Sequence, residues 1–273
     1  MNLIRNQLKA KLKRGESVFG AHCFLSDPAI VEIIGRTGFD FVIIDTEHTS
    51  KDPSRIEDLV RAAEVTGMTA LIRASEPNEK MILRLLETGS HGIVVPYMRD
   101  EATARASNDA VRYPPEGARG TCTATRAAWY GSLTAEFGAH VRSCNEELLL
   151  IGLIEERDGV ANVDSILDAG VDIAWLGRAD LSASLGVPGQ VEHPTVLAAV
   201  DQVIEATKHH PDRWSGIVAY TPEEATRWVA RGCRFLVYTS DSRVLYRSYD
   251  AAIRGMRAAV AAVELPRKES VSR

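Results

Sequence analysis

The sequence predicts a single α/β domain, a (β/α)8 TIM barrel with an N-terminal helix and a long insertion between the fourth and fifth strands. Three observations carry this. Eight short apolar runs recur along the chain; a helical pattern follows each; and 273 residues suit one barrel without a second domain. The apolar runs are Val18–Phe24, Phe39–Asp45, Ala70–Arg73, Gly92–Tyr97, Leu148–Glu155, Ile173–Gly177, Ser215–Tyr220 and Phe235–Thr239. They are continuous rather than alternating, as parallel strands covered by helices must be. An open doubly wound sheet is the competing fold, but no GxGxxG follows the first strand.

In chain order, Met1–Gly20 carries five basic residues and an apolar face of Leu3, Ile4, Leu8 and Leu12. That is expected to be an amphipathic helix closing one end of the fold rather than a targeting segment. Helices are expected over Pro28–Thr37, Pro53–Thr66, Glu79–Thr88, Glu101–Arg112, Val160–Asp168, Thr195–His209, Pro222–Ala230 and Val244–Val263. Asp27-Pro28 and Asp52-Pro53 read as an N-cap followed by proline at the first turn. Gly38, Gly67, Gly89, Gly170 and Gly232 read as C-terminal stops. Tyr113–Asn145 interrupts the rhythm and opens too rich in Pro and Gly for a simple helix. The tail Pro266–Arg273 reads as frayed.

Composition excludes several classes. With 32 Lys and Arg against 37 Asp and Glu, the net charge is −5 and no basic block exists for nucleic acid or an anionic membrane. No apolar run approaches the ~20 residues of a membrane span. Cys23, Cys122, Cys144 and Cys233 form no CxxC or Cys/His cluster, so no zinc or redox motif is indicated. Scattered thiols without a secretory signal suggest a cytoplasmic protein. Cys23 alone lies near the expected site.

In such a barrel the site lies at the C-terminal strand ends. Asp45-Thr46-Glu47-His48, Arg73, Glu155-Glu156 and Gly177-Arg178-Ala179-Asp180 stand there. Glu155 and Asp180 are hard oxygen donors suited to Mg²⁺ or Mn²⁺, or else rim carboxylates held in salt bridges. Strand alternation lets only one of Glu155 and Glu156 face the axis. His48 reads as a general base whose ring Asp45 holds, or as a packed strand-end histidine. Glu47 reads as a surface residue. Arg73 suits a carboxylate or enolate oxygen, or pairs with a neighbouring carboxylate. Free amides at Asp180-Leu181-Ser182, where a helical turn begins, could receive an anion. His209-His210 reads as solvated. Ser182 and Ser184 lack a histidine at nucleophile spacing. No strand-end lysine suggests a Schiff base, and no phosphate-binding GxxxxGK[ST] occurs.

The run Phe39-Asp40-Phe41-Val42-Ile43-Ile44-Asp45-Thr46-Glu47-His48 resembles the second-strand signature of the HpcH/HpaI aldolases, the metal-dependent class II pyruvate aldolases. The resemblance continues through Ile72-Arg73, Val94-Val95-Pro96, Arg112–Gly120, Thr125–Ala128, Ile154-Glu155 and Gly177–Gly186, in order over roughly residues 16–260. It implies a hexamer built from trimers, and Mg²⁺, Mn²⁺ or Co²⁺ held at Glu155 and Asp180. It implies pyruvate on that metal, with Arg73 at the keto oxygen and the amides near Ala179 and Asp180 at the carboxylate. His48, supported by Asp45, would move a proton through a water. The implied activity is reversible cleavage of a 4-hydroxy-2-oxo acid to pyruvate and an aldehyde through an enolate.

Three positions depart from the family pattern: Thr49 where glycine often follows the EH pair, Arg178 where proline or a small residue is usual, and His22 where many members carry tryptophan. The last two point to an altered aldehyde side. Alternatives are a citramalyl- or malyl-CoA-type lyase, an oxaloacetate decarboxylase using the same enolate, and a catalytically silent ligand-binding barrel.

Overall fold

A computed structural model describes residues 5–264. The chain forms a closed barrel of eight parallel strands in sequence order. The strands are β1 (Val18–Cys23), β2 (Phe41–Asp45), β3 (Thr69–Arg73), β4 (Gly92–Val95), β5 (Leu149–Ile154), β6 (Ile173–Leu176), β7 (Trp214–Val218) and β8 (Phe235–Ser240). Each expected apolar run is a strand, and the differences are of one to three residues at the ends. The expected tail 266–273, with Leu3 and Ile4, lies outside the described residues.

The helices are α1 (Gln7–Lys13), α2 (Pro28–Arg36), α3 (Pro53–Thr66), α4 (Glu79–Leu86), α5 (Glu101–Val111), α6 (Phe137–Glu147), α7 (Arg157–Ala161), α8 (Val163–Asp168), α9 (Arg178–Ser184), α10 (Pro194–His209), α11 (Pro222–Arg231) and α12 (Asp241–Glu264). Asp27 and Asp52 cap α2 and α3 as the sequence suggests, accepting from the amides of Ala29 and Arg55. The expected helix Val160–Asp168 is instead two short ones. Asn162 breaks it, its side chain donating to the Arg99 carbonyl at 2.9 Å while its backbone leaves the helical region.

Alternation sorts side chains into two cores. Outward residues such as Val42, Ile44, Ile72, Leu150 and Leu236 pack under the helices. Inward residues Val18, Phe41, Ile43, Leu71, Ile151, Trp175, Phe235 and Val237 fill the barrel. Phe41 and Phe235 stack at 4.2 Å across this interior. They fit because Gly20 and Gly216 stand on the adjoining strands; a Cβ at Gly20 would lie 2.2 Å from the Phe41 ring. Leu8 and Leu12 of α1 plug the bottom of the barrel, as its amphipathic pattern requires.

The bottom also carries buried charge. Asp172 accepts from Arg112 at 3.0 Å and from the Leu150 amide at 2.8 Å, with Lys9 at 3.4 Å. The insertion is anchored at its own ends. The Asn145 side chain accepts from the Tyr113 amide and donates to the Tyr113 carbonyl. A 3-10 turn at Arg126–Gly131 and the start of α6, which carries Asn145, fill the segment, so it is more ordered than its opening residues suggest.

One element leaves the barrel. In α12, Tyr246, Tyr249, Met256, Val260 and Val263 are exposed. Between α2 and α11, over β8 and β1, where the helix after β8 closes such a barrel, an apolar groove of Phe19, Phe39, Pro222, Ala225, Leu236 and Tyr238 stands open.

Gly20→Ala is expected to lower unfolding free energy by about 1–3 kcal/mol, because the stacked Phe41 ring has no free space to enter. A urea titration followed by circular dichroism measures it; unchanged stability would show that the interior repacks.

Candidate active site

The top inward layer follows from the layers beneath. One step above Phe41 and Ile43 comes Asp45; above Leu71, Arg73; above Leu153, Glu155; above Trp175, Gly177; above Val237, Thr239; and above Gly20, His22. These residues, other than Asp45, surround a cavity of about 350 Å3 at the C-terminal strand ends, joined by Arg178, Ala179 and Asp180 from the start of α9.

Register places Asp45 directly beside Arg73. The Arg73 guanidinium donates to Asp45 Oδ2 and meets Glu47 Oε2 at 3.0 Å, an ion contact without hydrogen-bond alignment. Asp45 is fully buried, and its other oxygen accepts from the His48 amide at 2.7 Å. Asp45 therefore holds the His48 backbone, not its ring as the sequence suggests. The backbone bond, from three residues on, closes a turn at the strand end. The His48 ring is 59% exposed and is not among the residues that line the cavity; Glu47 is its nearest carboxylate, at 3.7 Å. Glu47 is likewise not a surface residue. Its side chain is 10% exposed, folded inward by the Arg73 charge, and burial raises its pKa.

Glu155 is buried and accepts from the Tyr97 amide at 2.9 Å. Tyr97 lies in the left-handed region (φ 52°), a strained conformation for an aromatic residue, and sequence reasoning gave it no role. Gly177 leaves room for the carboxylate, since a Cβ there would lie 2.9 Å from Glu155 Cβ. Burial, with Asp180 and Glu47 adding like charge, pushes the Glu155 pKa up to about 7; the Tyr97 amide opposes this. Glu156 points away and pairs with Arg99, as alternation requires.

Neither Glu155 nor Asp180 forms an ion pair within 4.0 Å among the described residues, and Arg73 acts on Glu155 only from a distance. No group of three His, Cys, Asp or Glu side chains there is arranged to enclose a metal ion. Two uncompensated carboxylates with open space beside them nevertheless fit a hard divalent cation, which takes its other ligands from water and substrate oxygens.

The remaining expected residues divide. His22 lines the cavity, its ring 5.1 Å from Trp175 and 5.7 Å from Phe24. Arg178 lines it too, but its guanidinium is spent on Glu192 at 2.6 Å and the Val218 carbonyl at 3.1 Å, over the Trp228 ring. The turn at Asp180-Leu181-Ser182 is helical, with no side-chain cap on its first amides. Cys23 is buried, its thiol donating to the Leu25 carbonyl and its pKa pushed far up by burial, so it is inert. His210 is not solvated as expected; it sits between Asp164 and Asp168 at 3.1 and 3.3 Å. Lys51, which the sequence gave no role, ties the strand tops together, donating to the Cys23, Phe24 and Asp45 carbonyls.

The chain has known relatives. The HpcH/HpaI aldolase/citrate lyase pattern matches residues 19–247. The chain belongs to this family. The aldolase is 34% identical over 254 residues to a pyruvate aldolase of Rhizobium etli, covering 92% of this chain and 97% of that one. It is 32% identical over 249 residues to a hydroxypyruvate/pyruvate aldolase of Pseudomonas aeruginosa, covering 91% of each. The crystal structure of an HpcH/HpaI aldolase from Desulfitobacterium hafniense superposes with TM-score 0.85 at 30% identity, covering 96% of this chain and 99% of that one. The chain is thus an aldolase-type carbon–carbon lyase on a (β/α)8 barrel. No helix among the described residues is long and apolar enough to cross a membrane.

The neutral His22 gives an expectation for pH. Burial, and secondarily Arg73, lower its pKa to about 3, while an unfolded chain holds histidine near 6.5. The folded state therefore binds fewer protons, and stability present above pH 6.5 is lost as pH falls toward 3. His22→Phe is expected to lose less Tm than the parent between pH 7.5 and pH 5.5. Equal losses would show that His22 is protonated in the fold.

Proposed function

We propose that the protein is a divalent-metal-dependent aldolase that reversibly joins pyruvate to an aldehyde, giving a 4-hydroxy-2-oxo acid. One observation carries the reading: Glu155 and Asp180 face the cavity uncompensated, while Arg73 in the same cavity is already held by Asp45 and Glu47. The first pair calls for a cation, and the oriented guanidinium suits a developing oxyanion.

Mg²⁺, Mn²⁺ or Co²⁺ bound by Glu155 and Asp180 would supply positive charge that lowers the energy of the enolate. The uncapped amides of Arg178–Asp180 suit the pyruvate carboxylate. His48, outside the lining itself, takes a proton from the pyruvate methyl group through a water. The electron pair of that C–H bond moves onto the keto oxygen, where Arg73 donates. The resulting carbon nucleophile attacks the aldehyde carbonyl, a C–C bond forms, and the new alkoxide takes up one proton. Cleavage runs the same steps backwards. Asp45 acts by position, fixing Arg73 and the His48 backbone together.

We further propose a homo-oligomer of the reducing cytoplasm. The four cysteines form no disulfide. The exposed apolar side of α12 and the open groove between α2 and α11 suit each other, so that α12 of one copy covers the groove of a second. This supports an assembly such as the hexamer or trimer that the family resemblance implies.

Two measurements test these readings. Metal-stripped enzyme given Mn²⁺ or Mg²⁺ is expected to exchange the pyruvate methyl protons for deuterium, followed by NMR, and Glu155→Gln to lose this by at least ~100-fold. Exchange that persists in chelator, or none with any metal in folded protein, would reject the metal–enolate reading. By light scattering, the protein is expected to weigh a multiple of its 29.8 kDa chain. The pair Ile253→Asp and Met256→Asp, at exposed positions of α12, is expected to release smaller species; an unchanged mass would reject the helix-in-groove contact.

A further inference from the structure

The helix α9 carries Asp180 but has only seven residues. A helix that short is not stable by its own hydrogen bonds, so its orientation is set by what it is tied to. Its buried face is Arg178, Leu181 and Ser182, and only Leu181 is a large apolar residue. The Gly177 amide donates to the Ile154 carbonyl at 3.0 Å and fixes where the helix begins, but Gly177 supplies no side-chain cap. Ser182 ties the far end to the next loop, accepting from the Gly189 amide at 3.0 Å. The polar anchor of the first turn is the Arg178 side chain.

That side chain is 5% exposed and is held from several directions. One terminal nitrogen donates to Glu192 at 2.6 Å. The other donates to the carbonyl of Val218, the last residue of β7, at 3.1 Å and lies 3.5 Å from Glu224 of α11. The guanidinium lies over the Trp228 ring, 5.1 Å from its centre. Glu192 is itself gripped by the Arg227 fork at 2.8 and 2.9 Å, so the acceptor is fixed independently of Arg178. A lysine, as a point charge, could not reach a carboxylate and a carbonyl at once while lying on a ring. Packing alone does not call for such an arrangement, since a well-packed apolar side chain in place of a buried ion pair is often neutral or stabilising.

Residues two apart on an α-helix are turned by about 200° from each other. With Arg178 drawn toward β7 and α11, Asp180 is turned the other way, into the cavity it shares with Glu155 and close enough for the two like charges to interact. We propose that Arg178 is a positioning residue for the metal: anchored on Glu192 and Val218, it sets the rotation of the first turn of α9 and so holds the Asp180 carboxylate where it and Glu155 can take one cation. The assignment rests on the reading of Glu155 and Asp180 as the metal's ligands. Arg178 itself touches neither metal nor substrate in this role, because its donors are occupied by Glu192 and Val218.

The test measures Mn²⁺ binding to the metal-stripped, full-length protein by the loss of the free-ion electron paramagnetic resonance signal, beside the Tm of the metal-free protein. The wild type and Glu155→Gln come first. Folded wild-type protein that binds no Mn²⁺, or a Glu155→Gln variant that binds it equally well, overturns the metal reading and this assignment with it. With binding established, Arg178→Met keeps the stem but removes the donors, and is expected to raise the Mn²⁺ Kd about 10- to 100-fold. Arg178→Lys, which can keep the Glu192 contact alone, is expected to recover part of that loss. Glu192→Gln, at a half-exposed position on the loop before α10, is expected to raise the Kd at least ~3-fold, and it decides the matter if Arg178→Met does not fold. Arg231→Met is the control. Arg231 stacks on the same Trp228 ring and pairs with Asp201 but bonds to nothing on α9, so its loss is expected to affect the Tm and not the Kd. A Kd within about twofold of wild type in Arg178→Met, or in Glu192→Gln where Arg178→Met does not fold, would overturn the assignment and leave the metal reading intact.

Discussion

The Arg73 guanidinium, set between Asp45 and Glu47, is the interaction around which the top of the barrel is arranged. A buried arginine is tolerable only when its donors are occupied by acceptors of opposite charge. Asp45 meets that need and in the same stroke takes the His48 amide, so one carboxylate fixes the Arg73 guanidinium and the loop that carries His48. Glu47 closes the other side. Arg73 is then largely neutralised locally. Its charge opposes the rise of the Glu155 pKa only as the least of the causes, so burial, with Asp180 and Glu47 nearby, carries Glu155 to about 7 although a guanidinium lines the same cavity. The site is divided into a half whose charges are balanced by the chain and a half, at Glu155 and Asp180, whose carboxylates have no ion-pair partner among the described residues.

The division of labour along the barrel axis has the same logic. At the bottom, Asp172 with Arg112 and Lys9 forms a charge group in which every member has a partner within the chain, and α1 seals it from solvent. At the top, uncompensated carboxylates remain. Self-satisfied polar groups stabilise a fold; unsatisfied ones destabilise it until a ligand arrives. The layers of Phe41, Phe235 and Trp175 between the two ends give the rigid floor on which those unsatisfied groups can be held in place.

Much of this was legible in the chain itself. Parallel strands buried on both faces must be continuous apolar runs, so β1 to β8 could be read directly, and the ionisable residues ending β2, β3 and β5 had to converge because the barrel closes. What could not be read were directions within loops. Glu47 looks solvent-facing because it precedes His48 in a polar turn, and only the proximity of Arg73 from another strand folds it inward. The roles of Tyr97 and Lys51 are carried by a backbone amide and by a side chain bonded to carbonyls, neither of which has a residue-type signature. Arg178 stands out as a departure from the family pattern, but its partners Glu192 and Trp228 lie on later segments, so the diversion of its charge away from the cavity is a tertiary fact.

The same dependence on distant segments links the cavity to α12. The Asp241 carboxylate that opens α12 accepts from the amides of Phe24 and Leu25, at 2.9 and 3.0 Å. It is thus the clamp on the loop that follows His22. Ser242 and Arg243 line the cavity in the next residues, whereas Tyr246 onward is largely exposed. The first turn of α12 therefore belongs to the site and the rest faces outward. With α12 lying on a second copy, force on the helix would pass through Asp241 to the β1 loop and so to the His22 wall. The strands that α12 packs against are β1 and β8, on the side of the barrel away from Glu155. In the proposed assembly a second copy would therefore act first on the β1–β8 wall of the cavity.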